Sequence, residues 1–390
     1  MKIFTTVVLA VSMLINMQQY TYAQSQKLSK PIDSVKGLKD FYKNYFTMGV
    51  AVSPRSLANK EEVQLILKHF ESITSENTMK MGPIHPKENV YYWKDADAIV
   101  DFAVQHRLKI RGHNLCWHEQ TPAWFFKDSS GNLVTKTGLL HRLKDHITTV
   151  VNRYKGKVYA WDVVNEAVDD NPNNFLRNSL FYQICGEDFI AKAFEYAHAA
   201  DPNTLLFYND YNTERKEKSD RIYILLKKLK EKGVPIDAVG LQGHWSNFEP
   251  DKNELEYTIQ KMASLDLKIQ VTELDVSVYK WEKEPRAKNA TDIDLYTPVI
   301  EQQQTAKYKM IFEVLRKYKQ FITGVTFWNI SDRHTWLDNY PVKGRKNYPL
   351  LFDTNLLPKM LFWVTDLCQI ARDNFYGLLQ DNCPARYAGR

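Results

Sequence analysis

Several features are missing from this 390-residue chain, and each absence narrows what it can be. Beyond residue 23 no run of 18 apolar residues occurs, so no later segment is suited to crossing a bilayer as a helix. Nowhere do Lys and Arg form a block interleaved with aromatics. The formal net charge of +6 is spread along the chain, which argues against a nucleic-acid partner. Only four cysteines are present, Cys116, Cys185, Cys368 and Cys383, and their spacings lack the short pairs of a zinc site. In an exported chain they allow three complete pairings, among which spacing does not choose. Cys116 sits inside a strand-end motif and reads as a small buried hydrophobe. No G-x-G-x-x-G turn follows any strand, which removes the dinucleotide-binding form of the open α/β sheet. Linkers, low-complexity tracts and short repeats are absent too, so the chain from about 30 to 370 reads as one domain.

What is present begins with a leader. Lys2, the apolar run from Ile3 to Ile15, and Thr21-Tyr22-Ala23 before Gln24 predict a signal peptide over residues 1–23. The apolar run is too short for a stable span, and no Cys at the cleavage site offers a lipid anchor. Export is therefore expected, to a periplasm or to the medium. The globular domain is placed at 24–380, and residues 381–390 are expected to be loose. A polar lead-in over residues 24–40 finishes in a first helix.

From there, short apolar strands alternate with longer stretches of helical periodicity. Strands are predicted at Thr47–Val52, Ser72–Ser75, Lys109–His113, Val158–Val164, Thr204–Tyr208, Ala238–Leu241, Ile269–Leu274 and Gly324–Ile330. Helices fall between them, at Lys60–His69, Ala96–His106, Gly138–Tyr154, Glu187–Ala200, Lys216–Lys232, Glu254–Leu265 and Gln302–Tyr318. In the last of these, Tyr308, Ile311, Phe312 and Leu315 recur on one face, as a helix covering a sheet requires. Eight such units predict an α/β fold, a single (β/α)8 TIM barrel. The stretch after Lys359 supplies a closing helix.

In a parallel barrel every strand ends at the same face, so the polar strand endings can be collected into one site. Two apolar runs stop at a carboxylate: Val158 to Val164 leads to Asn165 and Glu166, and Ile269 to Thr272 leads to Glu273. Other strands end in Glu76 and Asn77, in His113 with Trp117 and Gln120 beyond, in Asn209 and Asp210, in Gln242 and His244, and in Trp328 with Asp332 and Trp336 beyond. Aromatics make up 13% of the chain, nine of them Trp, and many stand beside these polar endings, which suggests a wet aromatic cleft. Many donors and acceptors around flat rings suit a sugar. Glu166 and Glu273 would face each other across the mouth, as glycosidic cleavage needs one protonated and one ionised carboxyl. A separation of about 5 to 5.5 Å would mean retention of configuration, and about 6.5 to 9.5 Å inversion. Asn165 is placed to donate to a sugar 2-hydroxyl, and His244 to hydrogen-bond Glu273 with Asp275 orienting it.

The segments SENTMK (75–80), GHNLCWHEQTPAW (112–124), WDVVNEA (161–167), YNDYN (208–212), GLQGHW (240–245), VTELD (271–275) and FWNISDRHTW (327–336) resemble, in order, those of glycoside hydrolase family 10, the endo-β-1,4-xylanases. The resemblance implies a secreted, retaining enzyme acting on xylan and xylo-oligosaccharides, with Glu166 as acid/base and Glu273 as nucleophile. It places Glu76, Asn77 and Lys80 on the glycone side. His113, Trp117, Gln120, Asn165, Gln242, His244, Trp328 and Trp336 then line the subsites around the cut. No metal, cofactor or membrane anchor is implied, and a monomer is expected. Two stretches depart from the family pattern: Met81-Gly82-Pro83 after Lys80, and Met360-Leu361-Phe362-Trp363 after Lys359.

Three other readings compete with this one. A metal-dependent hydrolase would draw on His113, His118 and His244, but these stand beside Trp and Gln rather than clustered Asp. A non-catalytic sugar-binding protein gains nothing from a chain that keeps both glutamates. A β-1,4-glucanase is disfavoured because, by the resemblance, Gln120 and Trp328 wall off the hydroxymethyl group that glucose carries and xylose lacks.

Overall fold

The computed structural model describes residues 36–364, and its barrel unit starts at Leu38. The leader, Cys368, Cys383, most of the expected closing helix and the tail at 381–390 lie outside the described residues. The strands, in chain order, are β1 (Thr47–Val52), β2 (Ser72–Ser75), β3 (Lys109–His113), β4 (Val158–Asn165), β5 (Leu205–Asp210), β6 (Ala238–Leu241), β7 (His244–Ser246), β8 (Lys268–Ser277), β9 (Arg286–Ala287), β10 (Ile322–Phe327) and β11 (Val342–Lys343). β1 to β6, β8 and β10 form a ring of parallel strands, each paired with the next. β10 pairs with both β8 and β1, so the ring closes. The expected eight-stranded barrel is the observed one. β9 and β11 form a separate two-stranded ribbon.

Helices fill the connections where the periodicity places them. The helix Lys60–His69 is capped by Asn59, whose side chain accepts from the amides of Glu61 and Glu62, and basic residues close its last turn. The helix Pro298–Lys317 starts at the Thr297 cap with Pro at its first position, and Tyr308, Ile311, Phe312 and Leu315 are fully buried. The short helix Met360–Val364 belongs to the atypical segment after Lys359; its Leu361 and Phe362 are buried, and Phe362 packs against Phe352. Cys116 and Cys185 are buried free thiols.

Two strands end three residues away from expectation, each for a local reason. The strand expected over Ile269–Leu274 runs from Lys268 to Ser277, because β7 pairs with its upper half, His244 against Asp275 and Ser246 against Ser277. The strand expected through Ile330 stops at Phe327, since Asn329 turns out of the sheet at φ 143° and its own side chain accepts from the amide of Ile330.

Polar and charged side chains enter the barrel itself. Arg111 on β3 is fully buried. It forms an ion pair with Asp162 on β4, donates to Gln270 Oε1 on β8 at 3.0 Å, and lies over the Phe207 ring at 4.0 Å. β3 and β8 are four strands apart around the ring, so the bond between them crosses the interior. Removing one partner of a buried pair leaves the other charge uncompensated. Arg111→Met is therefore expected to cost about 3–5 kcal/mol of stability, measured by denaturant unfolding. A cost under about 1 kcal/mol, the range of exposed pairs, would show that the pair does not hold the interior.

Candidate active site

Glu166 follows an irregularity in its strand, and Glu273 lies within one. Between Asp162 and Val164, β4 advances two residues while β5 advances one, from Phe207 to Tyr208. Between Val271 and Leu274, β8 advances three while β10 advances two. An extra residue in one strand re-aims the side chains after it. Glu166, just past β4, then takes φ 59°, a left-handed conformation that a residue with a Cβ holds only under constraint.

The two carboxyl groups meet in one hydrogen-bonded network. Glu166 accepts from Trp117 Nε1 at 2.8 Å, Gln242 Nε2 at 2.9 Å and Asn165 Nδ2 at 3.1 Å. Asn209 Nδ2 donates to Asn165 Oδ1 at 2.9 Å and to Glu273 Oε1 at 2.8 Å, so amide side chains link one carboxylate to the other. Trp117 reaches Glu166 because its backbone bridges to Asn165. Gln242 and His244 are set on either side of Gly243, whose φ of 83° bends the chain between β6 and β7; a Cβ there would lie 2.7 Å from Val271 Cγ1.

Glu273 is 4% exposed, whereas Glu166 is partly open to solvent. Burial, the largest influence on Glu273, pushes its pKa up. His113, His244 and Lys80 together outweigh that and hold the carboxyl at about 2, against a usual 4.5. His244 Nε2 lies 3.2 Å from Glu273 Oε2, and its Nδ1 lies 3.1 Å from Asp275 Oδ2. Burial alone would lower the His244 pKa, but Asp275 and Glu273 override it and raise it to about 10. Trp336 Nε1 donates to Asp275 Oδ2 at 2.8 Å and its ring meets the His244 ring edge-on. From below, His113 Nδ1 sits 3.0 Å from Asp162 and 4.0 Å from Glu273. Trp328 is buried edge-on against the rings of both His113 and His244.

On the opposite side Lys80 is buried, donates to Asn77 Oδ1 at 2.9 Å and lies over the Trp117 ring at 5.0 Å. Burial lowers its pKa, while Glu273, Glu76 and Glu166 pull it back up. Glu76 is shifted upward by burial, against the opposing charge of Lys80. Gln120 is exposed at φ 51°, and its backbone oxygen lies where a Cβ on Gly82 would come within 2.7 Å. The unusual Met81-Gly82-Pro83 thus lets these two loops approach.

Trp117, Asn165, Glu166, Gln242, His244, Glu273, Asp275 and Trp336 join in one network of polar contacts, and Asn209, one of the polar strand endings, is its central link. Trp281 and Tyr340, both in loops, extend the aromatic surface: Tyr340 stacks on Trp336 with centroids 5.4 Å apart, and Trp281 lies 5.6 Å from Tyr340. Asp332, counted among the polar strand endings, instead holds Lys359 at 2.9 Å and the amide of Leu350, beneath the closing segment.

A closed (β/α)8 barrel with such a carboxylate pair at the strand ends, in a cleft of Trp and amide side chains, defines a glycoside hydrolase. Residues 37–366 match the family model described as Glycosyl hydrolase family 10, and the chain belongs to that family. A β-1,4-xylanase of Dictyoglomus thermophilum is 50% identical over 84% of this chain and 90% of its own length. Endo-1,4-β-xylanase B of Paenibacillus barcinonensis is 46% identical over 84% and 97%. Among solved structures, a xylanase from Paenibacillus barcinonensis complexed with a conduramine derivative shares 45% identity and a TM-score of 0.82, covering 85% of this chain and 98% of that one.

The raised pKa of His244 has a consequence for stability. A group whose folded pKa lies above its unfolded value stabilises fully below the unfolded pKa, and the effect is lost as pH rises through the folded one. The His244 contribution should therefore be complete below about pH 6.5 and fade as pH rises towards 10. His244→Asn is expected to abolish that part of the decline in melting temperature between these limits. Parallel melting curves for the two proteins across this window would contradict the assigned charge.

Proposed function

We propose that the protein is an endo-1,4-β-xylanase that hydrolyses internal β-1,4-xylosidic bonds with retention, Glu273 serving as nucleophile and Glu166 as acid/base. The observation that carries this reading is the division of labour between the two carboxyls. Glu273 is buried, fully partnered and held ionised, while Glu166 stands partly open to solvent at the same amide network. In the first step a Glu273 oxygen attacks the anomeric carbon while Glu166 gives its proton to the departing glycosidic oxygen, leaving a glycosyl ester on Glu273. In the second, Glu166 takes a proton from water, whose oxygen displaces Glu273 from the same carbon.

Asn165, which donates to Glu166 and is linked through Asn209 to Glu273, is read as the donor to the sugar 2-hydroxyl, a contact that strengthens in the transition state. The edges and faces of Trp117, Trp328 and Trp336 suit sugar rings, and Glu76, Asn77 and Lys80 form a polar glycone side. Xylan as substrate is supported by the names of the relatives and by Gln120 and Trp328, read as the wall against a hydroxymethyl group. The apolar leader at residues 1–23 supports export.

Glu273→Ala is expected to abolish turnover on every substrate. Glu166→Ala should lose about 10²- to 10⁴-fold on xylan yet still form the glycosyl ester from 2,4-dinitrophenyl β-xylobioside, seen as a burst. Equal loss of the burst in both variants would count against the assigned roles. Aryl xylobioside should be cleaved faster than aryl cellobioside, and the opposite order would overturn the substrate.

A further inference from the structure

We propose that Arg177 is a positioning residue for the acid/base, acting through the backbone of Glu166 and never touching substrate; this rests on the reading of Glu166 given above. Glu166 holds a left-handed φ of 59°, and two bonds pin the peptide groups on either side of it. Its amide donates to the backbone oxygen of Asn209 at 2.9 Å, which continues the pairing of β4 with β5. Its carbonyl is not taken up by a strand. Instead it accepts from Nε of Arg177, eleven residues on, at 3.1 Å.

Arg177 is itself anchored at both ends. Its amide donates to the backbone oxygen of Ala167 at 2.8 Å, and Val168 bridges to Leu176, so the intervening loop is closed at its base. The far nitrogen of its guanidinium donates to the hydroxyl of Tyr211 at 2.8 Å. That hydroxyl donates to Asp170 in the same loop, and Asp170 is in turn paired with Lys218 at 2.8 Å. One planar fork therefore ties the strained peptide after Glu166 to a second loop, the one that follows β5. A lysine, with a single compact ammonium, cannot hold both partners in that geometry.

The functional consequence follows from what a general acid must do. The Glu166 carboxyl has to reach the glycosidic oxygen, and a misplacement of about 1 Å costs roughly 100-fold. Freed from Arg177, the peptide after Glu166 can rotate and carry the carboxyl with it. The loss then resembles a weakened version of removing Glu166: large where the leaving group needs a proton, small where it does not.

The test compares kcat/KM, which reports glycosylation, for phenyl, 4-nitrophenyl and 2,4-dinitrophenyl β-xylobiosides in the full-length protein and in Arg177→Met, Arg177→Lys, Tyr211→Phe and Glu166→Ala. Arg177→Met should lose about 10- to 100-fold on the phenyl glycoside and under about threefold on the dinitrophenyl glycoside, with Arg177→Lys between it and the parent. Tyr211→Phe keeps the ring, and should show a smaller loss with the same leaving-group order. An equal loss on all three substrates, or no loss, in a folded Arg177→Met overturns the proposal. If Arg177→Met fails to fold, a leaving-group-independent effect in Tyr211→Phe does the same. Glu166→Ala separates the two readings. If it too loses equally on all three, the acid/base assignment has failed and the Arg177 proposal falls with it; if it shows the steep leaving-group dependence and Arg177→Met does not, only the Arg177 proposal fails.

Discussion

A carboxylate buried at 4% exposure and kept ionised is the constraint around which the rest of this site is built. Burial disfavours its charge, so Glu273 persists as an anion only while the barrel supplies positive charge and donors on every side. His244, held between Glu273 and Asp275, supplies one side, and the Asn209 amide a second. His113 supplies the floor, and beneath it Asp162 and Arg111 continue the alternation of charge into the barrel interior. Lys80 completes the ring from the loop after β2. The buried charges of the core and the buried charge of the site thus form one continuous arrangement, in which stability and reactivity draw on the same residues.

Glu166 is treated in the opposite way. It lies past the end of its strand, partly exposed, in a backbone conformation that the surrounding bonds impose. On the proposed reading Glu166 releases and recovers a proton in each cycle and so needs contact with water; the three N–H donors around its carboxyl come from Trp117, Gln242 and Asn165. The extra residues in β4 and β8 make the two placements compatible: one shifts the inward face of β4 just before Glu166, and the other falls between Val271 and Leu274, around Glu273. Without them, strict alternation would present different residues to the mouth.

Much of this was legible beforehand. Buried parallel strands read as largely apolar runs, and a run that gives way to Asn165-Glu166 or Thr272-Glu273 marks a candidate catalytic group; at Glu166 it also marks the strand end, whereas β8 continues past Glu273 to Ser277. The helix over Pro298–Lys317 was legible from the spacing of Tyr308, Ile311, Phe312 and Leu315, although it starts after the Thr297 cap, four residues before the expected Gln302. The extra residues were not, because one more Val or Thr in an apolar run leaves no mark on its pattern. Arg177 was equally silent: it stands in a polar loop, and its reach back to Glu166 exists only once that loop is closed. Trp281 and Tyr340 meet through the conformations of two long loops, which local sequence does not encode. Asp332 misled for the converse reason, since a carboxylate after a strand can face the closing segment as readily as the mouth.

The central claim is that a buried anionic Glu273 attacks the sugar and Glu166 handles the proton in both halves of the reaction. The most direct test is to follow the hydrolysis of a xylo-oligosaccharide by proton NMR and observe which anomer of the new reducing end appears first. Double displacement predicts that the β-anomer forms first, with the α-anomer growing only by mutarotation. Initial appearance of the α-anomer would mean a single displacement by water, and would contradict the account.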